Sequence, residues 1–121
     1  MRFSGRKVVI TGAAGVYGRE LSAAFAAEGA TLLLADRSEV DLAAAIPIGL
    51  PPNRVATHAA DLAVDAGIDG LIAAAVAGGA PDVLVNNAGI YPFIPLMEVT
   101  PAEYDRILGI NTRAPFRLMQ G

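Results

Sequence analysis

The chain of 121 residues has no cysteine, one lysine (Lys7) and one histidine (His58), and each scarcity removes a class of chemistry. Without cysteine there is no disulfide and no thiolate chemistry, and a reducing compartment is permitted. A single histidine cannot build a metal cluster, so His58 is read as an ordinary residue at a strand end. Charged residues make up 17%, aromatics 6%, and the net charge is -3, which leaves no basic footprint for nucleic acid. Long hydrophobic runs are missing as well. After Met1-Arg2-Phe3-Ser4-Gly5-Arg6-Lys7 only three apolar residues precede Thr11-Gly12, short of the roughly 7–15 of a signal-peptide core. The stretches 30–35 and 70–80 are shorter than the roughly 18 residues of a membrane helix or are diluted with glycine. These absences predict a cytoplasmic protein with neither a membrane nor a nucleic-acid partner.

What is present is apolar: 54% of residues are hydrophobic, too many for a disordered chain and suited to helices packed on a buried parallel sheet. The length fits one domain of roughly 100–150 residues. Val8 to Ile10 forms a compact apolar run without alternation, the pattern of a strand covered on both faces. From Val16 to Glu28 the positions Leu21, Ala24, Phe25 and Ala27 recur at helical spacing, and Gly29 stands where a left-handed stop belongs. A strand is expected over 31–35, ending at Asp36, and Ser38 is placed to cap a short helix through Ile46, ended by Pro47. Gly49, Pro51, Pro52 and Asn53 read as a loop, 55–57 as a strand, 65–77 as a helix stopped by Gly78-Gly79, and 83–85 as a strand. Thr100-Pro101-Ala102-Glu103 carries a cap, a first-turn proline and a reciprocal acid, and so starts a last helix. Arg106, Arg113 and Arg117 on that helix are read as a solvated or interfacial face. Strands alternating with helices imply βαβ units in a parallel sheet, with ligands at the carboxyl ends of the strands.

Those ends carry the informative residues. Lys7 to Gly18 reads as strand, tight turn and helix N-terminus, and the first N–H groups of a helix are unpartnered and sit at its positive pole, so they are suited to a phosphate. Asp36 stands eighteen residues beyond Gly18, where a carboxylate accepts from ribose hydroxyls; the plainer alternative is that it only opens the turn to Ser38. A carboxylate there repels a 2′-phosphate, which favours NAD over NADP, while Arg37 beside it pulls the other way.

Asn86-Asn87-Ala88-Gly89 follows the predicted strand 83–85. Together with Thr11-Gly12-Ala13-Ala14-Gly15-Val16-Tyr17-Gly18 it makes the chain resemble the short-chain dehydrogenase/reductase family from about Phe3 to Gly121. The resemblance implies an α/β, Rossmann-type doubly wound parallel sheet, here the first four βα units of an incomplete domain. It implies cofactor contacts from Thr11, Gly12, Ala14, Gly15, Val16, Tyr17, Gly18, Asp36, Arg37, Asp61, Leu62, Asn87, Ala88 and Gly89, with Asp61 meeting the adenine. Asn111 looks like the asparagine of the family's Asn-Ser-Tyr-Lys tetrad, which anchors a water in the proton relay. It further implies hydride transfer between NAD and an alcohol or carbonyl substrate, and a homo-oligomer of the full-length protein through the last helix.

Two departures stand out. The glycines fall at 12, 15 and 18, the Thr-Gly-x-x-Gly-x-x-Gly spacing of the family's extended, epimerase-like branch, with Val16 where Thr-Gly-x-x-x-Gly-x-Gly has glycine. The Cβ of Val16 narrows the approach to the turn, Gly15 relaxes it one residue earlier, and the Tyr17 ring is expected to pack beneath the helix. Second, the family's catalytic Ser and Tyr-x-x-x-Lys lie beyond Gly121. Tyr17, Tyr91 and Tyr104 have Leu21, Pro95 and Leu108 four residues on. The chain alone is therefore expected to be nearly inactive, with a non-catalytic NAD-binding module or an inert fragment as the alternatives. A strand 83–85 left at the sheet edge, beside an uncovered last helix, predicts self-association. Tyr91 to Leu96 is read either as a wall of an apolar substrate pocket or as plain loop packing.

Overall fold

Four parallel strands in the order β3-β2-β1-β4 form the centre of the computed structural model, which describes residues 1–121. They are β1 (Lys7–Thr11), β2 (Thr31–Asp36), β3 (Val55–Ala59) and β4 (Val83–Val85). Val8 of β1 lies opposite Leu32 of β2 and Val83 of β4, and Leu32 opposite Val55 of β3. The helices are α1 (Val16–Ala27), α2 (Glu39–Ala45), α3 (Asp65–Val76), α4 (Pro101–Leu108) and α5 (Ala114–Gln120). None is long and apolar enough to cross a membrane.

The strand residues sort by parity. Val8, Ile10, Leu32 and Leu34 pack with Leu42 of α2 and with Leu21 and Phe25 of α1, whereas Val9, Leu33 and Ala35 pack with Ile68 and Leu71 of α3 and Ala114 and Leu118 of α5. Both faces are therefore covered, which is why these strands read as unbroken apolar runs. Burial of each of these larger side chains contributes roughly 1.5–3 kcal/mol. The chain winds outward from β1 through β2 to β3 and then returns to β1's other side with β4. The crevice at that reversal, beyond the carboxyl ends of β1 and β4, is where a doubly wound sheet holds its ligand.

Several local expectations are corrected. In α1 the buried positions are Gly18 and Ser22, while Ala24 and Ala27 face solvent. A Cβ on Gly18 would overlap the Gly12 carbonyl, so small residues four apart let α1 sit close, and Leu21 and Phe25 flank them. Short 3₁₀ turns occupy Pro52–Arg54 and Leu96–Glu98 within segments read as loops. The last helix is not continuous: residues Gly109–Arg113 form a π-helical turn between α4 and α5. Pro115 has no N–H to give the Asn111 carbonyl, and its ring crowds that oxygen, so the wider turn relieves the clash. Arg113 and Arg117 do not simply face water either; they pair with Asp65 and Asp69 and tie α5 to α3.

Candidate functional site

The turn after β1 reverses through Gly12, whose φ of 63° is open to glycine and whose missing Cβ would stand 2.9 Å from Ala88 Cα. Its following N–H groups are spent internally. Ala13 donates to the Ala35 carbonyl at 3.1 Å, Gly15 to that of Gly12 at 3.1 Å, and Ala14 to Asp36 Oδ2 at 3.0 Å. The next three, on Val16, Tyr17 and Gly18, have no acceptor within the chain.

This helix start differs from its counterparts. Ser38 caps α2 by accepting from the Asp41 N–H at 3.2 Å, and Thr100 caps α4 by accepting from that of Glu103 at 3.2 Å. Acidic residues stand in the first turns of α2, α3 and α4. At α1, Gly15 caps with no side chain and the first turn holds no acid. Three donors at the positive pole of a twelve-residue helix are left without an acceptor, a setting that suits an anion.

Thr11 joins the two sides of the crevice. Its buried hydroxyl accepts from the Asn87 and Ala88 N–H groups at 3.1 and 3.0 Å, and the Asn87 carboxamide donates back to the Thr11 and Gly12 carbonyls at 3.1 and 3.2 Å. Asn86 Oδ1 is buried without a donor.

A cavity of about 550 Å³ opens over this framework, within the roughly 300–1,000 Å³ of small-molecule sites. It brings together Gly12, Gly15, Val16 and Tyr17 from the turn, Asp36 and Arg37 after β2, Asp61 and Leu62 after β3, and Asn87, Ala88 and Gly89 after β4. Thr11, Ala14 and Gly18 lie behind the wall and shape it. Tyr17 is 78% exposed and lines the cavity, so its ring does not pack beneath the helix as expected. Ile90, Tyr91 and Ile110 also line it; of these only Tyr91 stood out in the sequence. Asp36 accepts from the Ala14 and Arg37 N–H groups, and the Arg37 guanidinium has no ion-pair partner. Asp61 Oδ1 accepts from the Ala63 N–H at 2.9 Å and sits exposed at the rim.

Asn111 is outside the cavity lining. Its Oδ1 accepts from the Ile90 N–H at 2.8 Å and its Nδ2 donates to the Ile90 carbonyl at 2.7 Å, so the side chain holds the loop that forms one wall. Three carboxyls away from the cavity have their pKa displaced. Hydrogen bonding from Arg113 lowers Asp65 and in return raises Arg113, the Arg2 backbone N–H lowers Glu28, and the Lys7 backbone N–H, then Arg6, lower Asp82.

Comparisons with known proteins bear on the family and the fold. The sorbitol dehydrogenase of Cereibacter sphaeroides is 35% identical over 99% of the chain, which spans 46% of that enzyme. A metagenomic short-chain oxidoreductase solved in complex with NADP superposes with a TM-score of 0.90 at 31% identity, covering 99% of this chain and 56% of that one. The 3-ketoacyl-(acyl-carrier-protein) reductase of Brucella melitensis, solved with NADH, gives a TM-score of 0.85 at 31% identity, covering 97% and 48%. The chain thus spans about half the length of these relatives. The family model described as short chain dehydrogenase matches residues 6–121, and the chain belongs to that family of oxidoreductases.

Proposed function

We propose that this chain is the nicotinamide-dinucleotide half of an oxidoreductase acting on a small alcohol or carbonyl compound, with NAD preferred over NADP. The observation that carries the reading is the uncapped, acid-free start of α1 in the floor of a cavity whose rim holds Asp36. The residues fit a dinucleotide: an anion-binding helix end in the middle, a carboxylate for ribose hydroxyls to one side, and the apolar Leu62 and Ala60 beyond it for a base.

In this arrangement the N–H groups of Val16, Tyr17 and Gly18 bind the pyrophosphate. Asp36, already fixed by two N–H bonds, accepts from the adenosine ribose, and its charge disfavours a 2′-phosphate. Ala88, Gly89 and Ile90 form the wall on the β4 side, where Asn111 keeps Ile90 in place. The bound nicotinamide supplies hydride transfer. With the Asn111 side chain occupied, its backbone carbonyl, to which Pro115 offers no N–H, is the group we assign to anchoring a relay water. The sugar-alcohol relative supports a polyol or ketone substrate, and Tyr91 stands where such a substrate meets the cavity. No tyrosine in the chain has lysine four residues on, so proton transfer to substrate belongs to the rest of the enzyme and the chain alone turns over poorly. Exposed Tyr104, Leu108 and Phe116 support assembly through α4 and α5.

Titration with NADH and NADPH by calorimetry tests the reading. NADH is expected to bind about tenfold more tightly, and Asp36→Asn to narrow the gap; tenfold corresponds to about 1.4 kcal/mol. Tighter NADPH binding would show that Arg37 prevails, and no binding of either would overturn the dinucleotide assignment. Binding without turnover in the complete protein would favour a non-catalytic module.

A further inference from the structure

We infer that Arg19 is a positioning residue for the phosphate turn and that, with Asp36, it grips Ala14 from both sides. This rests on the dinucleotide reading above. The Ala14 N–H donates to Asp36 Oδ2 at 3.0 Å, and the Ala14 carbonyl accepts from Arg19 Nε at 3.0 Å. Two oppositely charged side chains, from the end of β2 and the first turn of α1, thus fix one peptide-flanked residue in orientation. A further Arg19 nitrogen, Nη1, lies 3.5 Å from the Ala44 carbonyl near the end of α2, where a cation suits the helix pole.

The grip has a direct consequence for the donors. In an ordinary helix start the Ala14 carbonyl could be approached by the Gly18 N–H four residues on; here it is turned to Arg19, and Gly18 keeps its N–H free. The Ala14 N–H, which would otherwise compete for an anion, is consumed by Asp36. The open donors are thereby confined to residues 16–18. Only Gly12 in the turn is left-handed, so its remaining shape depends on these bonds and not on further glycines. That dependence suits a chain with Val16, 81% exposed, where a glycine spacing of the other type would leave the backbone bare.

Arg19→Met and Arg19→Lys, compared with the unaltered chain, provide the test. NADH affinity is read by calorimetry, adenosine affinity by amide chemical shifts, and exchange of the Ala14 amide in the ligand-free protein by NMR. Arg19→Met is expected to weaken NADH about tenfold, the scale of one charge-assisted hydrogen bond. Adenosine should change less than about twofold, since it engages the rim and not the turn, and Ala14 exchange should accelerate. Arg19→Lys should recover both NADH affinity and Ala14 protection in part. Equal losses for NADH and adenosine would mean general damage to the fold and overturn the proposal, as would unchanged NADH binding. Full NADH affinity in Arg19→Lys with Ala14 still exchanging fast would mean that charge, not grip, is responsible, and would also overturn it. If the unaltered chain binds no NADH, the dinucleotide reading fails, while the Ala14 exchange rates still decide whether the grip exists.

Discussion

At the amino ends of the strands, cations close the polar groups that the helices leave behind. Lys7 Nζ donates to the Ala77 and Gly79 carbonyls after α3, Arg54 donates to that of Ala26 in the last turn of α1 and that of Ala30 beyond it, and Asp82 accepts from the Lys7 N–H and from Arg6. At the carboxyl ends the internal bonds are just as numerous around Thr11, Ala14 and Asn87, yet they stop short of residues 16–18. One end is closed by side chains; the other uses its side chains to hold a set of backbone donors open. The same strands thus end in a structural seam and a candidate binding edge, and glycine serves each differently. Gly78 turns the chain in open space with φ of 74°, whereas Gly18 is required because another backbone occupies the place of its Cβ.

The largest expected effect breaks that contrast at Gly18. Gly18→Val would drive a branched side chain into the Gly12 carbonyl and Ala13, which cannot yield without opening the turn, so a loss of about 3 kcal/mol is expected. Gly78→Ala should cost only about 1 kcal/mol, the penalty of a left-handed non-glycine residue, and leave NADH affinity unchanged. Urea unfolding of both variants checks the pair, and similar losses would remove the distinction between packing glycine and turning glycine.

Thr11→Val sharpens it at the next level. Valine keeps the shape but deletes the oxygen that accepts from Asn87 and Ala88, and a buried donor left unpaired costs about 1–3 kcal/mol. Asn87 retains a 3.0 Å bond to the Val85 carbonyl, so the orphan is chiefly the Ala88 N–H. The expected loss falls at the lower end, with NADH binding weakened because Ala88 and Gly89 wall the cavity. Unchanged unfolding would mean that water replaces the hydroxyl.

Much of this was legible in local sequence. The caps at Ser38 and Thr100, the strands and the glycine turn each announce themselves within a few residues, because caps and turns are short-range chemistry. What was not legible depends on distant partners. Nothing near Arg113 and Arg117 reveals Asp65 and Asp69, nothing near Arg19 singles out Ala14 as its acceptor, and the Asn111 carboxamide meets Ile90 only through the fold. On α1 Leu21 and Phe25 were read correctly as core-facing, but Ala24 and Ala27 were not, and Gly18, Ser22 and Ala26 at four-residue spacing carry the missed part of the inward face. The π-helical turn had a marker too, in Pro115 inside an otherwise helical run.

The smallest effect belongs to the closed end and appears only in acid. The Lys7 backbone N–H, and then the Arg6 guanidinium, hold the Asp82 carboxyl below its ordinary value. A carboxyl whose folded value is depressed contributes stability that is present above the unfolded value, about pH 3.9, and is lost as the pH falls through the lower folded value. Asp82→Asn removes that titration, so the acid limb of stability against pH should be shallower in the variant below about pH 4, with the two curves converging as the native carboxyl protonates. Since Asp82 and Arg6 are exposed, salt should reduce the difference between the curves. NADH affinity at neutral pH should not move, because the pair lies at the opposite end of the strands from the cavity. A loss of NADH binding in Asp82→Asn would mean that the two ends are coupled through β1, and that the closed seam is part of the binding edge rather than its counterpart.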